Sequence, residues 1–169
     1  TESLKDSSDR VRLMAALAIG QLRVPRAWEP MLAFVVNPQN QHSVLRHASV
    51  MALAGAFKEN ALSTLKNHPN RNVRLSGALA LRQKSSKKIA GYLSDDSPNI
   101  MLETARMIHD LPVQDALPEL AQLHSTRSKW IPKFAAKENI SSGTPDLVSM
   151  LFWIYHANYL TGQSENLNA

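Results

Sequence analysis

Residues 127–137, RSKWIPKFAAK, gather Arg127, Lys129, Lys133 and Lys137 around Trp130 and Phe134. Lys129, Lys133 and Lys137 recur at every fourth residue, so a helix would align them as one basic stripe. Cations that neutralise phosphates, beside rings on which bases stack, make this the strongest polyanion-binding signal in the chain. The competing reading is a solvated helix face with Trp130 packed beneath it. A formal charge of +5 favours that reading, because it is small for a protein that must neutralise several phosphates. A second basic run, RQKSSKK at 82–88, falls where a loop is expected.

Catalytic chemistry finds little to stand on. The six histidines (His42, His47, His68, His109, His124 and His156) show no H-E-x-x-H or other close ligand spacing, and a metal site needs three or four converging ligands. His109 and Asp110 lie at an expected helix end and read as a cap or surface pair. Cysteine is absent, which removes disulfides, thiolate sites and a cysteine nucleophile. No G-x-S-x-G elbow and no phosphate-cradling G-x-G-x-x-G loop occurs. Glu103 and Asp110 are seven apart on one expected helix and read as a solvated face. The expectation is therefore a protein that is not an enzyme and takes no cofactor and no metal.

The elements that would position these residues repeat. Ten-residue windows begin at Val11 (VRLMAALAIG), Leu45 (LRHASVMALA), Val73 (VRLSGALALR) and Ile100 (IMLETARMIH), at spacings of 34, 28 and 27 residues. Such spacings mark stacked repeats. Window positions 1, 5, 8 and 9 follow the i, i+4, i+7, i+8 spacing of one helical face, and positions 5, 6 and 8 are mostly small. Small residues let neighbouring helices approach closely, as a helix sandwiched between two others requires. Shorter apolar runs closed by Asp, Asn, Ser and Pro turns precede the windows: MLAFVVNPQNQHS, ALSTLKNHPNRN and IAGYLSDDSPN. Each repeat thus reads as helix A, a tight turn and helix B, with B helices near 9–22, 43–57, 71–83 and 98–110. The recurring Arg12, Arg46 and Arg74 at position 2 could form an anion-binding ladder. A spacing tied to the repeat favours a structural role instead, with Asp6, Asp9 and Asn70 in reach.

Positions 3 and 7 of each B helix should leave the core and face the groove: Leu13 and Leu17, His47 and Met51, Leu75 and Leu79, Leu102 and Arg106. Six of these eight are apolar, where a soluble array commonly places charge. A continuous apolar strip points to docking of a protein or of another domain. Burial of the strip under adjacent B helices and the C-terminal segment is the competing reading.

The pattern V-R-x-x-A-x-x-A-L-G after an L-x-D-x-x-x turn, clearest in LKDSSDRVRLMAALAIG and LKNHPNRNVRLSGALAL, resembles the HEAT-like repeat of the phycobilisome-lyase type. Residues 4–124 carry the resemblance; the fourth copy departs from it at Met101, where Arg is expected. The resemblance implies an all-α, right-handed α-solenoid of about four helical hairpins, an armadillo-like superhelix with B helices on the concave side. Some HEAT-like proteins are lyases or DNA glycosylases, and those keep an Asp, aromatics and an Arg in the groove. No such set maps onto Trp28, Trp130 or Trp153.

Residues 1–124 form the expected array, and 125–169 add an irregular segment and a capping helix over PDLVSMLFWIYHANYLTG, with Pro145 near its start and Gly162 past its end. Phe152, Trp153, Tyr155 and Tyr159 on it are expected to pack in the core beneath the cap, a partner surface being the alternative. The order of repeats and then this helix is also similar to the helical-repeat segment of large bacterial sugar-dehydrogenase-like proteins, between a β-propeller and a haem c domain. The ends of the sequence suggest a piece of a longer chain. The compartment is then periplasmic if the parent is secreted and cytoplasmic otherwise. With 44% apolar and 20% charged residues the composition is that of a folded soluble domain, and no apolar run is long enough to span a membrane. The reading is a scaffold that binds protein through the B-helix face, with polyanion binding through 127–137 as the alternative.

Overall fold

The computed structural model describes residues 1–110, 113–135 and 146–162. Every element among them is helical, with no strand, so the protein is all-α. The chain separates into two compact units, Thr1–Ser85 and Ser86–Ala169.

The first unit holds α1 (Asp9–Gln21), α2 (Trp28–Val36), α3 (Ser43–Ala56), α4 (Glu59–Thr64) and α5 (Arg71–Gln83). The first three windows lie inside α1, α3 and α5. α1 lies along α3 and α3 along α5, while α2 packs on α3 and α5 and α4 packs on α5. Leu45, Leu53, Val73 and Leu81 are wholly buried between them, together with Met31 of α2 and Leu62 of α4. The turns start the helices through side chains. Asn70 Oδ1 accepts from the amides of Asn72 and Val73 at the start of α5, and Asp6 Oδ1 accepts from the Ser8 amide before α1. α1 closes with Val24 N–H donating to the Ile19 carbonyl and Arg23 at φ 50°, a left-handed helix end usually given to glycine.

The contact between α1 and α3 is backbone to backbone. A Cβ placed on Gly20 would stand 2.9 Å from the Ala52 Cα and 2.9 Å from the Met51 carbonyl oxygen. A Cβ on Gly55 would collide with the Gly20 carbonyl. No side chain can yield there, so both positions require glycine for a steric reason and not for backbone freedom.

The second unit holds a 3-10 helix (Lys87–Tyr92), α6 (Pro98–Asp110), α7 (Leu117–Gln122), α8 (Arg127–Ala135) and α9 (Asp146–Thr161). The fourth window lies inside α6. The apolar part of the run IAGYLSDDSPN, expected as an A helix, lies in the six-residue 3-10 helix Lys87–Tyr92 instead. Only eight residues separate its Ser86 cap from the Asp95 turn, and Gly91 weakens α-helix within it. α9 packs on α7 and α6 and ends at Gly162 with φ 68°. Pro145, expected at its start, lies outside the described residues. Tyr92 is wholly buried; burial first, and the Asp95 carboxylate second, push its hydroxyl well above the usual tyrosine value.

Two outcomes follow from this packing. Gly55→Ala should lower stability by about 1–3 kcal/mol, read as a drop in melting temperature, because the added methyl meets only backbone. Tyr92 should make stability fall with rising alkalinity. Below pH 10.0, the usual tyrosine value, the phenol is neutral in folded and unfolded chains alike and contributes fully. Above it the unfolded phenol ionises first, so unfolding is progressively favoured. Denaturant titrations at several alkaline pH values should show that slope, and Tyr92→Phe should flatten it.

Candidate functional site

Arg12, the first rung of the suggested ladder, is buried and fully engaged. Its Nε donates to Asn40 Oδ1 at 2.9 Å, one terminal nitrogen to the carbonyls of Asp6 and Ser7, and the other to Asp9 Oδ1 at 2.6 Å. Asn40 in turn donates to the Phe34 carbonyl. The guanidinium thereby joins the turn before α1 to the turn between α2 and α3. Arg74 donates to the carbonyls of His68 and Pro69 before α5. Arg46 is exposed. Two of the three arginines are thus held by turn atoms, which leaves no ladder of three free guanidinium groups to meet an anion.

The basic stripe also differs from its expected form. Trp130 and Phe134 are both buried, packed edge to face at 5.7 Å, and Trp130 Nε1 donates to the Leu123 carbonyl. Rings fixed in this way cannot stack on bases; they pack beneath the helix face, as in the reading that the small net charge favoured. Arg127 donates to the His124 carbonyl, and Lys133 pairs with Asp96 at 3.0 Å. Lys129 is exposed; Lys137 lies outside the described residues.

The strip at window positions 3 and 7 divides by unit. In the first unit His47 and Met51 of α3 are exposed, while Leu13, Leu17, Leu75 and Leu79 are half-buried. Leu75 and Leu79 border a shallow pocket with Phe34, Val35 and Ser49. In the second unit Leu102 is half-buried, and Arg106 is exposed and pairs with Glu103 at 2.7 Å. The strip is therefore a partly covered apolar surface with Met51 and His47 standing out of it.

The most exposed apolar surface of the second unit lies on α9. Phe152, Tyr155 and Tyr159 are 57%, 45% and 79% exposed. This corrects their assignment to the core beneath a cap. Met150, Ile154 and Ala157 fill the buried face instead, so the aromatic residues occupy the opposite side of the same helix. No Asp, Glu, Lys or Arg occurs between residues 147 and 162.

Histidines edge this face. His156 is stacked on Phe152 on one side and Tyr159 on the other. Its Nδ1 lies 2.7 Å from Nε2 of His109 on α6, and His109 Nδ1 lies 2.9 Å from Asp110 Oδ1. With Asp110 accepting from Nδ1–H, a neutral His109 presents Nε2 as an acceptor, and His156 donates to it. The chain Asp110–His109–His156 ties α6 to α9 and fixes the ring that the aromatic side chains flank. The sequence offered no sign of this pairing, since the two histidines are 47 residues apart. Of the pair His109–Asp110, read as a cap or surface pair, Asp110 is exposed and the His109 ring is largely covered, with His156 as its further partner. Nearby, His124 is buried against Tyr155, at 5.4 Å between ring centres.

Among the described residues no group of three or more His, Asp or Glu side chains is arranged to hold a metal ion, and no helix is long and apolar enough to cross a membrane. Comparisons with protein-family models, with curated proteins and with solved structures gave no match to this chain.

Burial separates the two sets of aromatic residues energetically. The double substitution Phe152→Ser/Tyr159→Ser should change stability by no more than about 0.5 kcal/mol, as surface changes do. Trp130→Ala should cost about 3–5 kcal/mol, because it empties a packed site. Denaturant unfolding of the two variants checks both values.

Proposed function

We propose that the protein is a non-enzymatic scaffold of HEAT-like helical repeats of the phycobilisome-lyase type, which binds protein through the open aromatic face of α9 and the open faces of its B helices. In this reading the four windows are the B helices of about four hairpins in a right-handed α-solenoid, and α9 is the terminal helix. Supporting it, α1, α3 and α5 lie side by side in order, and shorter helices pack against them.

The observation that carries the functional reading is the uncharged face of α9 with Phe152, Tyr155 and Tyr159 exposed on it. Large rigid aromatic residues in water are costly unless something covers them, and they dominate the affinity of protein interfaces when covered. His156, held by His109, adds a polar group at a fixed place among the rings and can orient a partner's hydrogen bonds. Met51 and His47 offer a second, smaller patch in the first unit. The partner is another protein or a further domain of a longer parent chain. The polyanion reading has lost the two rings on which it relied, and an enzyme reading would need polar groups converging in an enclosed site.

A photo-crosslinking residue introduced at position 159, at 51 and, as a control, at the exposed Arg26 tests this in the cell of origin. A discrete protein adduct at 159 or 51 but not at 26 is expected, and Phe152→Ser should abolish the adduct at 159. Equal labelling at all three positions, or adducts only with nucleic acid, would overturn the proposal.

A further inference from the structure

The same window positions have different surroundings in successive helices of the first unit. At position 1, Leu45 of α3 and Val73 of α5 are 0% exposed, whereas Val11 of α1 is 40% exposed. At position 4, Ala48 and Ser76 are buried, whereas Met14 is 60% exposed. At position 8, Ala52 and Ala80 are 0% exposed, whereas Ala18 is half-exposed. On a helix these positions share one flank, at i, i+3 and i+7. On α3 that flank is covered by α1, since Ala52 lies under Gly20. On α5 it belongs to a helix that lies along α3. On α1 the corresponding flank is open, and Leu22, exposed at its end, extends it.

We propose that this flank of α1, the surface of Val11, Met14, Ala18 and Leu22, docks an α-helix of a partner protein that carries a small-residue stripe like the one α1 itself turns to α3. The flank continues an interface that the unit already makes with its own helices. α1 meets α3 through Gly20, which lies on one face with Leu13, Ala16 and Leu17 by helical spacing. An incoming helix with the same Leu-x-x-Ala-Leu-x-x-Gly stripe can therefore lie beside α1 much as α1 lies beside α3. The fit is not identical, and the differences define the partner. Met14 replaces Ala48, and Gln21 stands one turn beyond Ala18 where Gly55 stands beyond Ala52, so the backbones cannot come as close. The partner helix must offer small residues opposite Met14 and seat further out at the Gln21 end. The four flank residues carry no charge, so the contact depends on burial of apolar area and should be insensitive to salt.

This surface is separate from the aromatic face of α9 on which the proposed function rests, and the two can fail independently. The probe is a labelled, hydrocarbon-stapled peptide with the sequence of residues 9–22, stapled at the positions of Val11 and Ala15, on the side of the helix opposite the Leu13–Gly20 stripe. Fluorescence anisotropy with the full chain should show saturable binding that does not change with added salt. Met14→Asp/Leu22→Asp in the protein should weaken it about tenfold or more while the melting temperature holds, because both side chains are already exposed. Gly20→Leu in the peptide should abolish binding, and Tyr159→Ser in the protein should leave it unchanged. Absence of binding, or binding that survives Met14→Asp/Leu22→Asp, would overturn the proposal. Dimerisation of the wild-type chain that Met14→Asp disperses would overturn it too, by placing a second copy on the flank.

Discussion

The closest constraint in the first unit is the line along which α1 and α3 touch. Gly20 and Gly55 let two backbones meet with nothing between them. At that separation, dispersion contacts along the helix pair are dense, and a side chain at either glycine could be accommodated only by moving a whole helix. The neighbouring positions follow from the same requirement. Alanine or serine at 48, 49 and 52 keeps the α3 flank thin, and Leu45 and Leu53 of the same helix are wholly buried. Arg12 closes the other end of α1, reaching through the Asp6–Asp9 turn to Asn40. A buried cation with its donors met by carbonyls, an amide oxygen and a carboxylate is tolerable where an unpaired one would not be. One end of α1 is thus fixed by shape and the other by hydrogen bonds.

Much of this was legible in the residues. The ten-residue windows fall inside α1, α3, α5 and α6, because a covered helix must keep apolar and small residues at fixed spacing whatever the rest of the chain does. The shorter segments were less legible. α2 is a nine-residue α-helix, α4 has six residues and continues as 3-10, and the corresponding helix in the second unit, Lys87–Tyr92, is 3-10 along its whole length. Segments of one or two turns are set by their caps and by the partners they meet, and their own propensity is too weak to distinguish these forms.

The candidate sites were less legible than the helices, for an identifiable reason. In both aromatic stretches the residue types were plain and their direction was not. Trp130 and Phe134 sit among lysines, which left an exposed stacking platform and a packed face as competing readings, and they lie four residues apart on the face of α8 that is buried. Phe152, Tyr155 and Tyr159 sit in an apolar stretch and looked like core. That stretch is apolar all round, so periodicity could not say which side was buried, and the packing of Met150, Ile154 and Ala157 decided it. An amphipathic helix announces its buried face, whereas an entirely apolar one leaves the choice to its neighbours. The His109–His156 pair is a further step removed, since only the folded arrangement of α6 and α9 brings those rings together.

Apolar side chains of one kind can therefore carry opposite meanings in this chain, depending on whether a neighbouring helix is present. Val73 and Val11 occupy the same window position, and one is core while the other is surface. Met51 and Met14 are both exposed methionines, but the window position of Met51 is only half-covered at Leu17 and Leu79, whereas that of Met14 is fully covered at Ala48 and Ser76. A residue such as Met51 can become functional by gaining a ligand of any shape that fits its patch. At the position of Met14 the other copies in the unit meet a helix. The flank of α1 therefore has internal copies of its own surroundings to be compared with, in the covered flanks of α3 and α5, whereas the patch of Met51 has none.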